Sequence, residues 1–146
     1  MKRILIADDH ESVLRRIRGM LESHPGWEIC GDAVTGRQAI AQAAELKPDI
    51  VVLDFAMPQM DGLKTAAAIK TLLPKVPILM FTMYSSAVTS EAERHGICRV
   101  IDKAKSGALL TAIEEVLASQ EQELLTPQQP ASQSPPVTKI QINRAS

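Results

Sequence analysis

The run Ile50-Val51-Val52-Leu53, broken off by Asp54, constrains this chain more than any other stretch. Four apolar residues are too few for a buried helix. Their β-branched character reads as a parallel strand covered on both faces. Asp54 then stands at the carboxyl end of that strand. In an open α/β sheet this is the edge where ligands bind, because the loops diverge there and helix N-termini point into the crevice. Pro58 and Asp61-Gly62 punctuate the loop that follows, and Asp61 is placed to cap a helix starting near Leu63.

The rest of the chain alternates strand and helix around this one. Arg3 to Asp8 reads as a strand, and Ser12 to Ser23 as a helix with Leu14, Ile17 and Leu21 on one face, stopped by His24-Pro25-Gly26. Trp27 to Ala33 is a second strand. Thr35, with Gln38 three residues on, reads as a capping box for a helix through Leu46. Leu63, Ala66, Ile69 and Leu73 mark a third helix ended by Pro74 and Pro77, and Val76 to Thr82 a fourth strand. Ser85 to His95 is a helix with a thin apolar stripe, Val88 and Ala92, closed by Gly96 as a left-handed cap. Cys98 to Asp102 is a fifth strand, and Leu109, Leu110, Ile113, Val116 and Leu117 define a strongly amphipathic last helix.

Five strand-helix units with right-handed crossovers predict a doubly wound, three-layer α/β sandwich, its parallel sheet in the flavodoxin-like order 2-1-3-4-5. That order brings Asp8 and Asp9 beside Asp54 on one side, and Thr82 and Lys103 toward it on the other. The length of 146 residues, 45% of them hydrophobic, suits one good core. With 16 basic and 17 acidic residues, bulk charge points to neither nucleic acid nor an anionic membrane. The apolar start at Ile4 runs into the acids Asp8 and Asp9, so it does not read as a signal peptide, and no apolar stretch approaches the ~20 residues of a membrane span. Cys30 and Cys98 lack metal spacing and are expected to be two buried thiols in a reducing cytosol.

Three carboxylates within a few ångströms repel, and a hard divalent cation with oxygen ligands relieves them; magnesium is the natural choice. Asp54 beside such a cation is a carboxylate nucleophile suited to forming an aspartyl phosphate, with Lys103 and the Thr82 hydroxyl placed to meet phosphoryl oxygens. Blander readings exist for each residue: Asp61 as a helix cap, Asp8 and Asp9 as solvated caps, Thr82 as a strand end, Lys103 as a surface lysine. His10, His24 and His95 share no ligand spacing, and only His10 lies next to the acid pair.

Asp8-Asp9 after the first strand, Asp54 after the third with Met57-Pro58 and Asp61-Gly62 following, Thr82 after the fourth and Lys103 after the fifth resemble the receiver domain of two-component response regulators. The resemblance covers roughly Lys2 to Leu117. It implies that Asp54 accepts a phosphoryl group from a sensor histidine kinase or phosphotransfer protein. It also implies that Asp8, Asp9 and Asp54 hold Mg2+ together with the backbone carbonyl of Ala56, and that Thr82 and Lys103 read the phosphorylated state. A downstream protein partner would then bind the face of the fourth helix, fifth strand and fifth helix, with a phosphorylation-dependent homodimer a further implication. Such a protein would be cytoplasmic and no enzyme beyond slow self-catalysed phosphorylation and dephosphorylation. The segment 79–84 is similar to the branch that carries a helix-turn-helix output domain. Two positions depart from the family pattern: Ala104 stands where a proline often follows the lysine, and Val100 where an inward-swinging Tyr or Phe is usual.

A haloacid-dehalogenase-like phosphatase would need a second acid two residues after Asp54, and that position is Ala56. A phosphorylation-independent binding module of the same fold would be signalled by loss of Asp54, Lys103 or the acid pair, all of which are present. From Ser119 the composition turns to Gln, Pro, Ser and Thr, so residues 1–118 are expected to form the receiver and 119–146 a disordered tail. The weak alternation from Val137 to Ile142 is read as plain tail rather than an added strand. The tail leaves no room for a folded DNA-binding module, so the chain is expected to act as a stand-alone receiver without direct nucleic-acid contact, or as the remnant of a transcriptional regulator.

Overall fold

The computed structural model describes residues 1–125 of the chain. They fall into two units, residues 1–114, which carry the sheet, and the residues from 115 onward. In the first unit β1 (Lys2–Ala7), β2 (Trp27–Ala33), β3 (Ile50–Leu53), β4 (Ile78–Thr82) and β5 (Ile97–Asp102) form one parallel sheet in the order β2-β1-β3-β4-β5. Helices α1 (Glu11–Glu22), α2 (Gly36–Leu46), α3 (Gly62–Leu72), α4 (Ser85–Ala92) and α5 (Ser106–Leu125) alternate with the strands.

The chain order reverses direction once, between the step from β1 to β2 and the later steps outward to β5. Right-handed crossovers therefore put α1 on one face and α2, α3 and α4 on the other. Leu5, Ala7, Val51, Leu53, Ile78, Met80 and Ile97 form one buried cluster with Ala39 and Ala43 of α2, Ala66 and Ile69 of α3, and Val88 and Ala92 of α4. The alternate residues Ile4, Ile6, Ile50, Val52, Leu79 and Phe81 are equally buried and point the opposite way. Leu14, Ile17 and Leu21 of α1 and Leu109, Ala112 and Ile113 of α5 are buried outside the first cluster, and His24 after α1 reaches Glu114 of α5 at 3.4 Å. β3 is buried at all four positions, as a central strand between two helical layers requires.

The helix ends follow local chemistry. Thr35 accepts from Gln38 N at 3.1 Å, while the Gln38 side chain returns to Val34 N rather than to Thr35, a capping box displaced by one residue. Asp61 accepts from Lys64 N at 2.9 Å and caps α3. The fourth helix is shorter than expected: α4 stops at Ala92, a 3-10 turn covers Glu93–His95, and Gly96 follows at φ 85°.

Three expectations need correction. Helix α5 runs to Leu125, so helical structure continues through residues 119–125, which composition had assigned to a disordered tail. Ser119-Gln120-Glu121-Gln122-Glu123-Leu124-Leu125 holds mostly good helix formers, and the first breaker is Pro127. The rest of the expected tail, including 137–142, lies outside the described residues. Second, the cysteines are not buried: Cys30 is half-buried and Cys98 exposed, both as free thiols. They lie on β2 and β5, the two edges of the sheet, and each is the residue skipped where the register shifts, Ile4 and Leu5 pairing with Ile29 and Gly31, and Ile78 and Leu79 with Ile97 and Arg99. Third, the fourth strand begins at Ile78 rather than Val76, since Pro77 has no N–H for the ladder.

Candidate functional site

All five polar residues expected at the carboxyl edge stand at strand ends. Asp8 and Asp9 follow β1, Asp54 follows β3, Thr82 closes β4 and Lys103 follows β5. The sheet holds them through its own ladder: Asp8 N donates to Ala33 O, Asp54 N to Ala7 O and Lys103 N to Thr82 O, each at 3.0 Å. Asp8, Asp54 and Thr82 are 1%, 3% and 0% exposed, which excludes the solvated-cap reading for Asp8, while the Asp9 side chain keeps 28% of its surface in solvent. The Lys103 side chain is 7% exposed, so it is no surface lysine.

Lys103 Nζ donates to Asp8 Oδ2 at 2.5 Å and lies 3.3 Å from Asp54 Oδ2. One ammonium thus bridges two buried carboxylates. The other oxygen of each is occupied by backbone: His10 N donates to Asp8 Oδ1 at 2.9 Å and Phe55 N to Asp54 Oδ1 at 2.8 Å. Burial pushes the Asp54 carboxyl above its ordinary range, with Asp8 adding to the rise, while Lys103 and the Thr82 hydroxyl pull it down. The site carries more negative charge than its lysine balances.

Asp8, Asp9, His10 and Asp54 each bring one ligand atom to within 4.8 Å of the others. Asp9 Oδ1 is enclosed and has no hydrogen-bond partner, an acceptor that a divalent cation would satisfy. The donor set therefore fits a hard cation on oxygen. Ala56 lies half-buried in the same loop, two residues beyond Asp54.

The loop from Asp54 to α3 is closely fitted. Gly62 N donates to Phe55 O at 2.7 Å, and a Cβ on Gly62 would fall 2.3 Å from Asp54 O and 2.7 Å from Met80 Cε. Gln59 has φ 70° while Met60 N donates to Pro58 O at 2.7 Å, a γ-turn of the rare positive-φ kind, at a functional loop where such strain tends to gather. Tyr84 is 53% exposed and stands edge-on to Phe55 with ring centroids 6.1 Å apart. Tyr84 N donates to Thr82 Oγ1 at 3.2 Å.

In the sequence Tyr84 has no evident aromatic partner, and His10 stands out only as the histidine next to the acid pair. Strand order supplies the partner of Tyr84, whereas His10 meets the carboxylates of its own chain neighbours Asp8 and Asp9. Phe55 directly follows Asp54 and Tyr84 lies two residues beyond Thr82, so neighbouring β3 and β4 ends bring the rings together. The Lys103–Ala104 peptide is trans. Val100 is half-buried beside the α4 cluster.

Residues 4–114 match the family described as the response regulator receiver domain. A protein-glutamate methylesterase/protein-glutamine glutaminase of Alkalilimnicola ehrlichii is 46% identical over 80 residues, covering 55% of this chain and 20% of the relative. The response regulator protein VraR of Staphylococcus aureus is 39% identical over 82 residues, covering 56% of this chain and 39% of the relative. The chain thus spans a minor part of these curated relatives' length. Among solved structures, a CheY-like receiver domain protein from Methanospirillum hungatei JF-1 superposes with a TM-score of 0.78 at 29% identity, covering 84% of this chain and 98% of that one.

Proposed function

Since the chain belongs to the response regulator receiver family, we propose that it is a phosphorylation switch whose acceptor is Asp54. The observation that carries this reading is the bridging of buried Asp54 and Asp8 by Lys103 at the mouth of the sheet. A carboxylate with a matched cation beside it, on a rigid strand end, is set for in-line displacement at phosphorus. The carboxylate oxygen forms the new O–P bond as the P–N bond to the donor's imidazole breaks, and the imidazole departs with the bonding pair. The donor is a phosphohistidine of a sensor histidine kinase or phosphotransfer protein.

Asp8, Asp9 and Asp54, with the Ala56 carbonyl, would hold Mg2+, which when bound neutralises charge on the transferring phosphoryl group. Lys103 supplies the fixed positive charge at the same oxygens. It must loosen its bond to Asp8 to do so. Thr82 gives up the Tyr84 N–H and turns its hydroxyl to the phosphoryl group. The strain passes into α4, whose first residue follows Tyr84 and whose N-terminus has no side-chain cap. Its buried contacts are only Val88 and Ala92, so little opposes its movement.

The downstream partner is proposed on the face of α4, β5 and the start of α5, in the cytoplasm. A cavity of about 420 Å³ lies there, lined by Ser85, Thr89, Val100, Asp102 and Lys105 among others. Val100 fills less of this face than an aromatic would. Phosphorylation-dependent pairing of two copies of the chain is proposed alongside this partner role.

The test is incubation with a small phosphodonor and Mg2+. One acid-labile phosphoryl group per chain is expected, lost in Asp54→Ala; stoichiometric labelling of Asp54→Ala would falsify the assignment.

A further inference from the structure

We infer that His10 is a ligand of the acidic site, and that this nitrogen makes the site a receptor for first-row transition dications in competition with Mg2+. The inference rests on the reading of Asp8, Asp9 and Asp54 as a cation site. His10 Nδ1 lies 3.2 Å from Asp8 Oδ1 and 3.1 Å from Asp9 Oδ1. Two cis ligands at bond lengths of about 2.1 Å stand about 3.0 Å apart in an octahedron and about 3.4 Å apart in a tetrahedron. Both separations fall between these values.

The orientation of each group agrees. Asp8 turns Oδ2 to Lys103, while its Oδ1 accepts from His10 N and keeps its second lone pair on the side of the imidazole, so the lysine does not occupy the oxygen that the ring faces. Asp9 Oδ1 is enclosed and lacks a hydrogen-bond partner even with the ring nitrogen 3.1 Å away, because the two are not aligned for a hydrogen bond. A cation between them satisfies both lone pairs without that alignment. His10 is the N-cap residue of α1 but makes no side-chain cap bond, so its ring is not committed to the helix. Its side chain is 65% exposed, which leaves the approach open to an ion and its waters.

Imidazole shifts a site's preference. Mg2+ takes oxygen ligands almost exclusively, whereas Ni2+, Zn2+ and Co2+ gain from nitrogen. Even an all-oxygen site ranks these ions above Mg2+, so preference alone decides nothing. Dependence on His10 decides it.

The experiment titrates the whole chain with Ni2+ and, separately, with Mg2+ by calorimetry, in wild type and His10→Ala, and repeats the Ni2+ titration under saturating Mg2+. Folding of His10→Ala is checked by circular dichroism. Loss of one direct ligand should weaken Ni2+ by roughly tenfold or more, at least the cost of losing a supporting partner, and leave Mg2+ affinity nearly unchanged; excess Mg2+ should weaken Ni2+ binding to wild type. Equal Ni2+ affinity in the two proteins overturns the inference, and so does His10-dependent Ni2+ binding that is indifferent to Mg2+. Absence of Mg2+ binding in both proteins would instead overturn the parent reading, and the Ni2+ comparison would still decide the role of His10.

Discussion

Lys103 is hydrogen-bonded to Asp8 at 2.5 Å and stands farther, at 3.3 Å, from Asp54, the residue it is proposed to serve. Its charge is therefore spent largely on the neighbouring carboxylate in this state. Replacing it with methionine leaves Asp8 and Asp54 buried without their counter-ion, and loss of one partner of a buried pair costs about 3–5 kcal/mol. Lys103→Met is expected to unfold at markedly lower urea concentration than wild type and to recover more of that loss on addition of Mg2+. Urea titrations with and without the ion measure both effects.

Asp54→Asn is expected to act in the opposite direction. The wild-type carboxyl titrates above its ordinary range because burial and Asp8 oppose its charge. The folded protein then holds this proton more tightly than the unfolded chain does. Its contribution to stability falls as pH rises from the ordinary carboxylate range through the raised value. At pH 7 the asparagine protein should be the more stable and melt at the higher temperature, and the advantage should shrink toward pH 4. Thermal melts of both proteins across that range, without divalent cations, give the comparison.

Gly62→Ala tests the fit of the acceptor loop. The new methyl would fall 2.3 Å from Asp54 O and 2.9 Å from Phe55 Cα, and neither backbone atom can yield without moving the acceptor. A loss of about 1–3 kcal/mol is expected, together with slower labelling of Asp54 by a small phosphodonor.

Tyr84→Ala removes the ring that stands against Phe55. Because Tyr84 is half exposed, the stability change should be small, about 0.5 kcal/mol. The acyl phosphate at Asp54 should lose cover on that side, and its half-life, followed by phosphate release, should shorten.

Cys98 gives a probe away from the site. The residue is exposed, yet loss of water around its thiol pushes its pKa above the usual value, with Arg99 pulling the other way. The thiolate is the reactive form. Alkylation of Cys98 should therefore reach half its maximal rate at a higher pH than that of a free cysteine.

The sheet and its active edge were legible because they depend on short-range signals: β-branched runs ended by acids, Asp61 before a helix, Gly96 after one. Strand order then follows from handedness and brings Asp8, Asp9, Asp54, Thr82 and Lys103 together. What escaped depends on contacts between distant parts of the chain. The pairing of Tyr84 with Phe55 is set by how far the ends of β3 and β4 project. The length of α5 escaped for another reason: Ser119 to Glu123 is polar enough to read as tail, yet helix formers continue without a breaker to Leu125.

The skipped residues at Cys30 and Cys98 bear on crowding. An outer strand with a regular ladder offers a template on which another chain can pair, the usual seed of aggregates built strand on strand. Here β2 and β5, the outer strands of the sheet among the described residues, each carry one irregularity. A foreign strand extending from either border would lose register within a few residues. The sheet is open in topology but poor as a nucleus for strand-on-strand growth.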